Sequence, residues 1–222
     1  MPFSRAEWAD RKASIADRLT RGEAGGSYSE AIIILCSTIS AMAAEVWPGE
    51  RIDRRRFVQL LIEFADQPSY LGTISTPLLV GHLRADGRTA EAERIRKAHL
   101  DFGRSRVVHG ADVDRAEDEL ISLCPSLSRG YLRKVSYATI LYERIRSPFV
   151  HEYRPGEKTS SWPMTDDEDA RVSYVNWVDD PDRHIFMHAK WLASLVKDLG
   201  ARTDAAAQSF PRPLPSAWWI DG

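Results

Sequence analysis

Residues 142–154, Tyr-Glu-Arg-Ile-Arg-Ser-Pro-Phe-Val-His-Glu-Tyr-Arg, bring Arg144, Arg146 and His151 into one short stretch. A histidine exchanges a proton near neutral pH, because its unperturbed pKa is about 6.5. An arginine stays charged, and its planar fork matches the oxygens of an anion two at a time. The chemistry such a set could do is proton transfer beside a developing oxyanion. On a continuous helix Arg144 and His151, seven apart, differ by about 700° and face the same way, whereas Arg146 and His151, five apart, differ by about 140°. Pro148 lacks a backbone N–H and clashes with the carbonyl of Arg144, so a kink that re-aims the histidine is expected.

Other candidate sets are weaker. Arg104 and His109 repeat the five-residue spacing, but Gly103 and Gly110 bracket them and predict a loop or short extended piece. His184 and His188 are four apart without the acidic residue of a zinc-protease motif, and His82 and His99 have no partner at metal-binding spacing. Cys36 and Cys124 sit among apolar residues and read as buried, reduced thiols. Neither a phosphate-binding P-loop nor a G-x-S-x-G elbow is present. No metal and no cofactor is expected.

Helices must position the set. Residues 4–21 read as an amphipathic surface helix with Trp8, Ile15 and Leu19 on its apolar stripe and a capping box from Ser4 to Glu7. Ser27 caps an almost wholly apolar helix over 28–46, expected at the centre of a bundle. Asp53 caps a third, with Phe57, Leu60, Leu61 and Phe64 on one face. Residues 67–88 carry Pro68, Gly72, Pro77, Gly81 and Gly87 and read as loop. Charged or short helices follow over 89–102 and 112–123, with Asp112 or Asp114 near the second cap. Ser126 opens the second long helix, which carries the motif through Leu132, Val135, Thr139, Tyr142 and Ile145. After an acidic, Pro-rich loop, residues 171–178 and 184–187 read as a β-hairpin, and 188–199 as a helix ended by Gly200. Trp218 and Trp219 are expected to dock on the body.

The motif at the end of a long helix, together with the Ala- and Ile-rich helix over 28–46, resembles the HEPN superfamily, all-helical domains marked by R-x4-6-H. Arg146-x4-His151 and Arg144-x6-His151 both fit. The resemblance spans residues 27–153. It implies an all-α HEPN-like helical bundle with a short β-hairpin and helix appended near the C-terminus. Residues 1–26 would be an amphipathic helix and linker, and 154–222 the loop, hairpin, helix and Trp-rich tail. Active members are metal-independent endoribonucleases that work as homodimers, two motif helices forming one composite cleft.

RNA cleavage by its own 2′-hydroxyl needs a proton carrier and charge neutralisation on the non-bridging oxygens. His151 would be general acid or base, Arg146 the phosphate clamp and Arg144 a supporting contact. Arg129, Arg133, Lys134, Ser147 and Arg154 would hold RNA. The resemblance implies toxin or phage-defence roles, with an antitoxin or other protein as a possible partner. The alternative is a non-catalytic HEPN-like module for dimerisation or for binding RNA or a nucleotide.

Composition fits this reading. At 222 residues, 43% hydrophobic and 28% charged, the chain is expected to form one globular domain with appendages. A net charge of −2 excludes a global positive field for nucleic acid, so any RNA site must be local, and residues 129–154 carry a net +4. Arg51, Arg54, Arg55 and Arg56 form a second basic cluster. The charged N-terminus and the short apolar run over 31–36 predict a soluble, cytoplasmic protein without membrane contact.

Overall fold

A computed structural model describes residues 4–99, 107–161, 170–176 and 183–215. The chain folds around α2 (Tyr28–Val46), which Ser27 and Glu30 close with a reciprocal capping box. Its Ile32, Leu35, Ile39 and Met42 are fully buried, because neighbours cover most of its circumference. By length and composition α2 could cross a membrane, and it is the one described helix of which this is true. Its apolar side chains are used here as the centre of the core.

Helix α1 (Arg5–Thr20) starts at Ser4 with the expected capping box. Its inward face, however, is Ala9, Ala13 and Ala16, while Ile15 is 42% exposed. Trp8 and Leu19 of the predicted stripe pack, half-buried, against the core, and the alanines take its centre because α1 lies very close to α12 (Ala189–Ala205): a Cβ on Gly200 would stand 2.4 Å from the Ala9 Cβ. Gly200 therefore serves close packing, and α12 continues past it to Ala205. The N-terminal helix belongs to the same core as α2 and α12.

Helix α3 (Asp53–Phe64) buries Phe57, Leu60, Leu61 and Phe64 as expected, although the capping position falls on Ile52, one residue before Asp53. The stretch over 67–88 is largely helical: α4 (Pro68–Leu71) and α5 (Thr76–Ala85) occupy it. Ser75 caps α5, accepting the Leu78 N–H, and Pro77 lies in its first turn, where the missing N–H has no intrahelical partner to lose. Next come α6 (Thr89–His99), β1 (Val107–His109), α7 (Gly110–Val113), α8 (Glu117–Leu123) and α9 (Arg129–Arg133).

The second long helix is broken at Lys134–Ser136, because Ser136 pairs with Ile74 and then caps a fresh start. From there α10 (Tyr137–Ile140) passes through a π-helical segment (Leu141–Arg146) into α11 (Ser147–Glu152). The hairpin forms from β2 (Val172–Asn176) and β3 (Arg183–Met187), antiparallel, with Tyr174 opposite Ile185. β1 extends it to a three-stranded sheet of order β1-β2-β3, pairing Val108 with Tyr174. The fold is thus mostly helical with one small antiparallel sheet. Arg104, the acidic run over 166–169 and the two tail tryptophans lie outside the described residues.

Candidate functional site

Pro148 dictates the local backbone of the motif. With no N–H at 148 the Arg144 carbonyl loses its helical donor, a defect that costs about 3 kcal/mol when left in a regular helix. Here the chain widens into the π turn, and the Ser147 N–H donates to the Tyr142 carbonyl, five residues back. The Arg144 carbonyl takes the Gly156 N–H instead, at 3.1 Å. Only glycine allows this, since a Cβ at 156 would lie 2.5 Å from that oxygen and 2.9 Å from Pro148 Cγ. The helix ends at Tyr153 in the left-handed region, φ 55°. The expected kink is therefore a wide turn closed by a returning loop.

Arg146 faces α2 and the helix end. Its Nε donates to Ser40 Oγ at 3.3 Å, its Cζ lies 5.3 Å from the Tyr142 ring centroid, and its Nη1 is 3.4 Å from His151 Nε2. A guanidinium can only donate, so this contact is a hydrogen bond when Nε2 of a neutral His151 accepts. The imidazole is exposed. Behind the pair, burial pushes the Cys36 thiol up to about 12, with Arg146 acting in the opposite direction. Phe149 is buried and packs edge-on against Tyr28 at 6.0 Å, which fixes the inner face of α11.

The other predicted residues part company with this pair. Arg144, two residues before Arg146, projects from another face of the helix and donates from Nη1 to the Glu157 carbonyl at 3.0 Å. Arg129 reaches Glu117 and, at 2.7 Å, Asp118, while Arg133 meets Glu117 at 2.6 Å. Lys134 stacks on Tyr131, its Nζ 5.5 Å from the ring centroid. These three precede Tyr137, and from there the helix runs roughly 20 Å to His151. The basic segment is thus not one patch. Arg154 pairs with Glu152, and Ser147 is half-buried at the start of α11.

Among the described residues neither Arg144 nor Arg146 has a carboxylate partner, unlike Arg129, Arg133 and Arg154. The basic cluster over 51–56 is mostly structural. Arg54 pairs with Glu143, Arg56 with Asp53 and with the Gly49 carbonyl at 3.2 Å, and Arg55 with the Pro215 carbonyl at 3.2 Å.

His109 lies in β1, where its Nδ1 is 3.3 Å from Ser173 Oγ, which in turn lies 2.9 Å from His188 Nε2. His184 turns away, its Nδ1 3.4 Å from the Thr159 carbonyl. Burial and Arg115, whose Nε donates to Nδ1 at 3.2 Å, lower the pKa of His99. No group of three or more His, Cys, Asp or Glu among the described residues could hold a metal ion.

The sequence placed Asp112 or Asp114 near the cap of the helix that Ala116 in fact precedes, and did not announce the setting of Asp114. The carboxylate is 7% exposed. It accepts hydrogen bonds from the Tyr137 and Tyr174 hydroxyls, the latter at 2.6 Å, and from the Thr76 N–H at 2.9 Å. Burial pushes its pKa up to about 7, against the pull of those donors. The tyrosines are 23 and 60 residues away in the chain, so no local spacing announces the network. Comparison of the chain with family models, with curated proteins and with solved structures finds no match.

Proposed function

We propose that the protein is a metal-independent endoribonuclease of the HEPN type, acting through Arg146 and His151. The observation that carries this reading is the contact between the Arg146 guanidinium and the exposed His151 imidazole, at 3.4 Å, with no carboxylate to neutralise the arginine among the described residues. A phosphodiester supplies the missing anion. When its non-bridging oxygens draw the Arg146 fork away, Nε2 of His151 regains a free lone pair and accepts the proton of the attacking 2′-hydroxyl. Charge that builds on the phosphorane meets a guanidinium that stays protonated, and as the bond from phosphorus to the 5′-oxygen breaks, that oxygen takes the proton back from His151, leaving a 2′,3′-cyclic phosphate and a 5′-hydroxyl.

A second copy of the chain would complete the cleft. The Tyr153 side chain, 57% exposed two residues beyond His151, gives that rim an apolar surface for it. DNA, lacking the 2′-hydroxyl, would bind without being cut. The experiment is cleavage of single-stranded RNA by purified protein in EDTA. His151→Ala and Arg146→Ala should each abolish product while the thermal midpoint stays near that of the parent. Cleavage retained by either variant overturns the assignment.

A further inference from the structure

Arg144 does not serve the pair beside it, and its surroundings indicate another use. The guanidinium lies on the wall of a cleft of about 380 Å³ between α5 and the loop that follows the motif helix. Lys158, Arg183 and, from α5, His82 also line it, with Glu157 as the one carboxylate among the described lining residues. Among the described residues Arg144 is anchored by one backbone carbonyl, that of Glu157, and a guanidinium carries five N–H donors. Lys158 and Arg183 line the same cleft and make other interactions within the chain. His82 is held 3.9 Å from Asp86 and against the Tyr131 ring.

The backbone is built to bring these groups together. Lys158 adopts φ 55°, a left-handed conformation that non-glycine residues seldom take without support from their surroundings. The support is visible: the Gly156 N–H is tied to the Arg144 carbonyl, Thr159 donates back to the Gly156 carbonyl through both N–H and hydroxyl, and Ile185 N–H donates to the Lys158 carbonyl at 2.9 Å. Pro77, Leu78 and Ala85 of α5 add apolar surface to the lining. Cations and apolar surface in one cleft match a phosphate joined to a ribose or base.

We infer that this cleft is a phosphate-binding site, separate from Arg146 and His151, that takes the phosphate of a nucleotide, either free or as part of an RNA strand. The site stands on its own geometry and does not depend on whether the chain cleaves RNA.

The test is calorimetric titration of the full-length protein with pyrophosphate, AMP, GMP and a ten-nucleotide RNA made uncleavable by 2′-O-methylation. Each is titrated into the parent chain, Arg144→Gln, Lys158→Gln and Arg18→Gln, the last an exposed cation on α1 outside both sites. Binding that weakens at least tenfold in Arg144→Gln and Lys158→Gln, but less than threefold in Arg18→Gln, supports the site. Mononucleotides binding as tightly as the oligomer identify a free nucleotide as the ligand, and binding of the oligomer alone identifies the RNA backbone. Affinities in Arg144→Gln equal to those of the parent, with thermal midpoints matched, overturn the proposal, as does a parent that binds none of the four. Cleavage assays on His151→Ala report on the ribonuclease reading separately.

Discussion

The two ends of the helix over 137–152 both carry ionisable side chains, and they are finished in opposite ways. At the N-terminal end Asp114 is sealed beneath Tyr137, Tyr174 and the start of α5, with a donor for each lone pair it uses. At the C-terminal end Arg146 is left with a serine hydroxyl, a tyrosine ring and a neutral imidazole nitrogen, and His151 faces water. A closed inventory of donors and acceptors holds elements in place, because each buried group would be costly to orphan. An open one leaves a charge for something outside the chain. Arg129 and Arg133, satisfied by Glu117 and Asp118, belong with the first kind even though sequence alone placed them with the second.

The largest expected effect is at the open end. His151→Ala should lower RNA cleavage by about 100- to 10,000-fold, the usual contribution of a positioned acid–base group. Its thermal midpoint should move by less than about 2 °C, since an exposed side chain is lost. Single-turnover cleavage and differential scanning calorimetry on the same preparations check both halves, and a variant that loses stability instead of activity would erase the contrast. At the closed end the expectation reverses. Asp114→Ala strands the Tyr137 hydroxyl and the Thr76 amide in the core, while the Tyr174 hydroxyl keeps Ser75, at about 3 kcal/mol. For a chain of this size that lowers the melting temperature by roughly 6–12 °C.

The same carboxylate gives the fold a pH dependence. Its pKa is about 7 in place against an ordinary 3.8, so between those values the folded chain holds a proton that the unfolded chain has released. Its contribution to stability is therefore fully present below about pH 4 and is lost as pH rises through 7. Urea melts of parent and Asp114→Asn from pH 4 to 8 should show this slope in the parent and its absence in the variant.

Two smaller effects sharpen the distinction between packing and surface charge. Gly200→Ala inserts a methyl 2.4 Å from the Ala9 Cβ and should cost about 1–3 kcal/mol by overpacking, read from chemical denaturation. Arg129→Ala breaks exposed ion pairs worth at most about 1 kcal/mol and should leave RNA cleavage within a few-fold of the parent. A large loss of cleavage in that variant would return Arg129 to the RNA surface.

Much of this architecture was legible in the residues. Ser4 with Glu7 marks a helix start because both partners of a capping box lie within one turn, and Ser27 marks another as a cap. The α3 face and the hairpin were likewise readable from period alone. Residues 67–88 were misread as loop because Pro77 and Gly81 count as breakers until their positions within α5 are known. The apolar stripe of α1 held for Trp8 and Leu19 and failed for Ile15, because a sequence weighs side-chain size, whereas the small alanines are what let α12 come close. The third strand, β1, is three residues long and has no period to detect.

The sequence by itself determined where α1 and α2 begin, that α2 would be buried, and that Arg146 and His151 share one helical segment, since these follow from local hydrogen bonding and periodicity. Tertiary structure decided which cations stay without a carboxylate. It sent Arg144 to a cleft of its own, closed the π turn with Gly156, and gathered Asp114 with two distant tyrosines. Those outcomes depend on groups that meet only after the chain has folded, and the spacing of residues along the chain carries no record of such meetings.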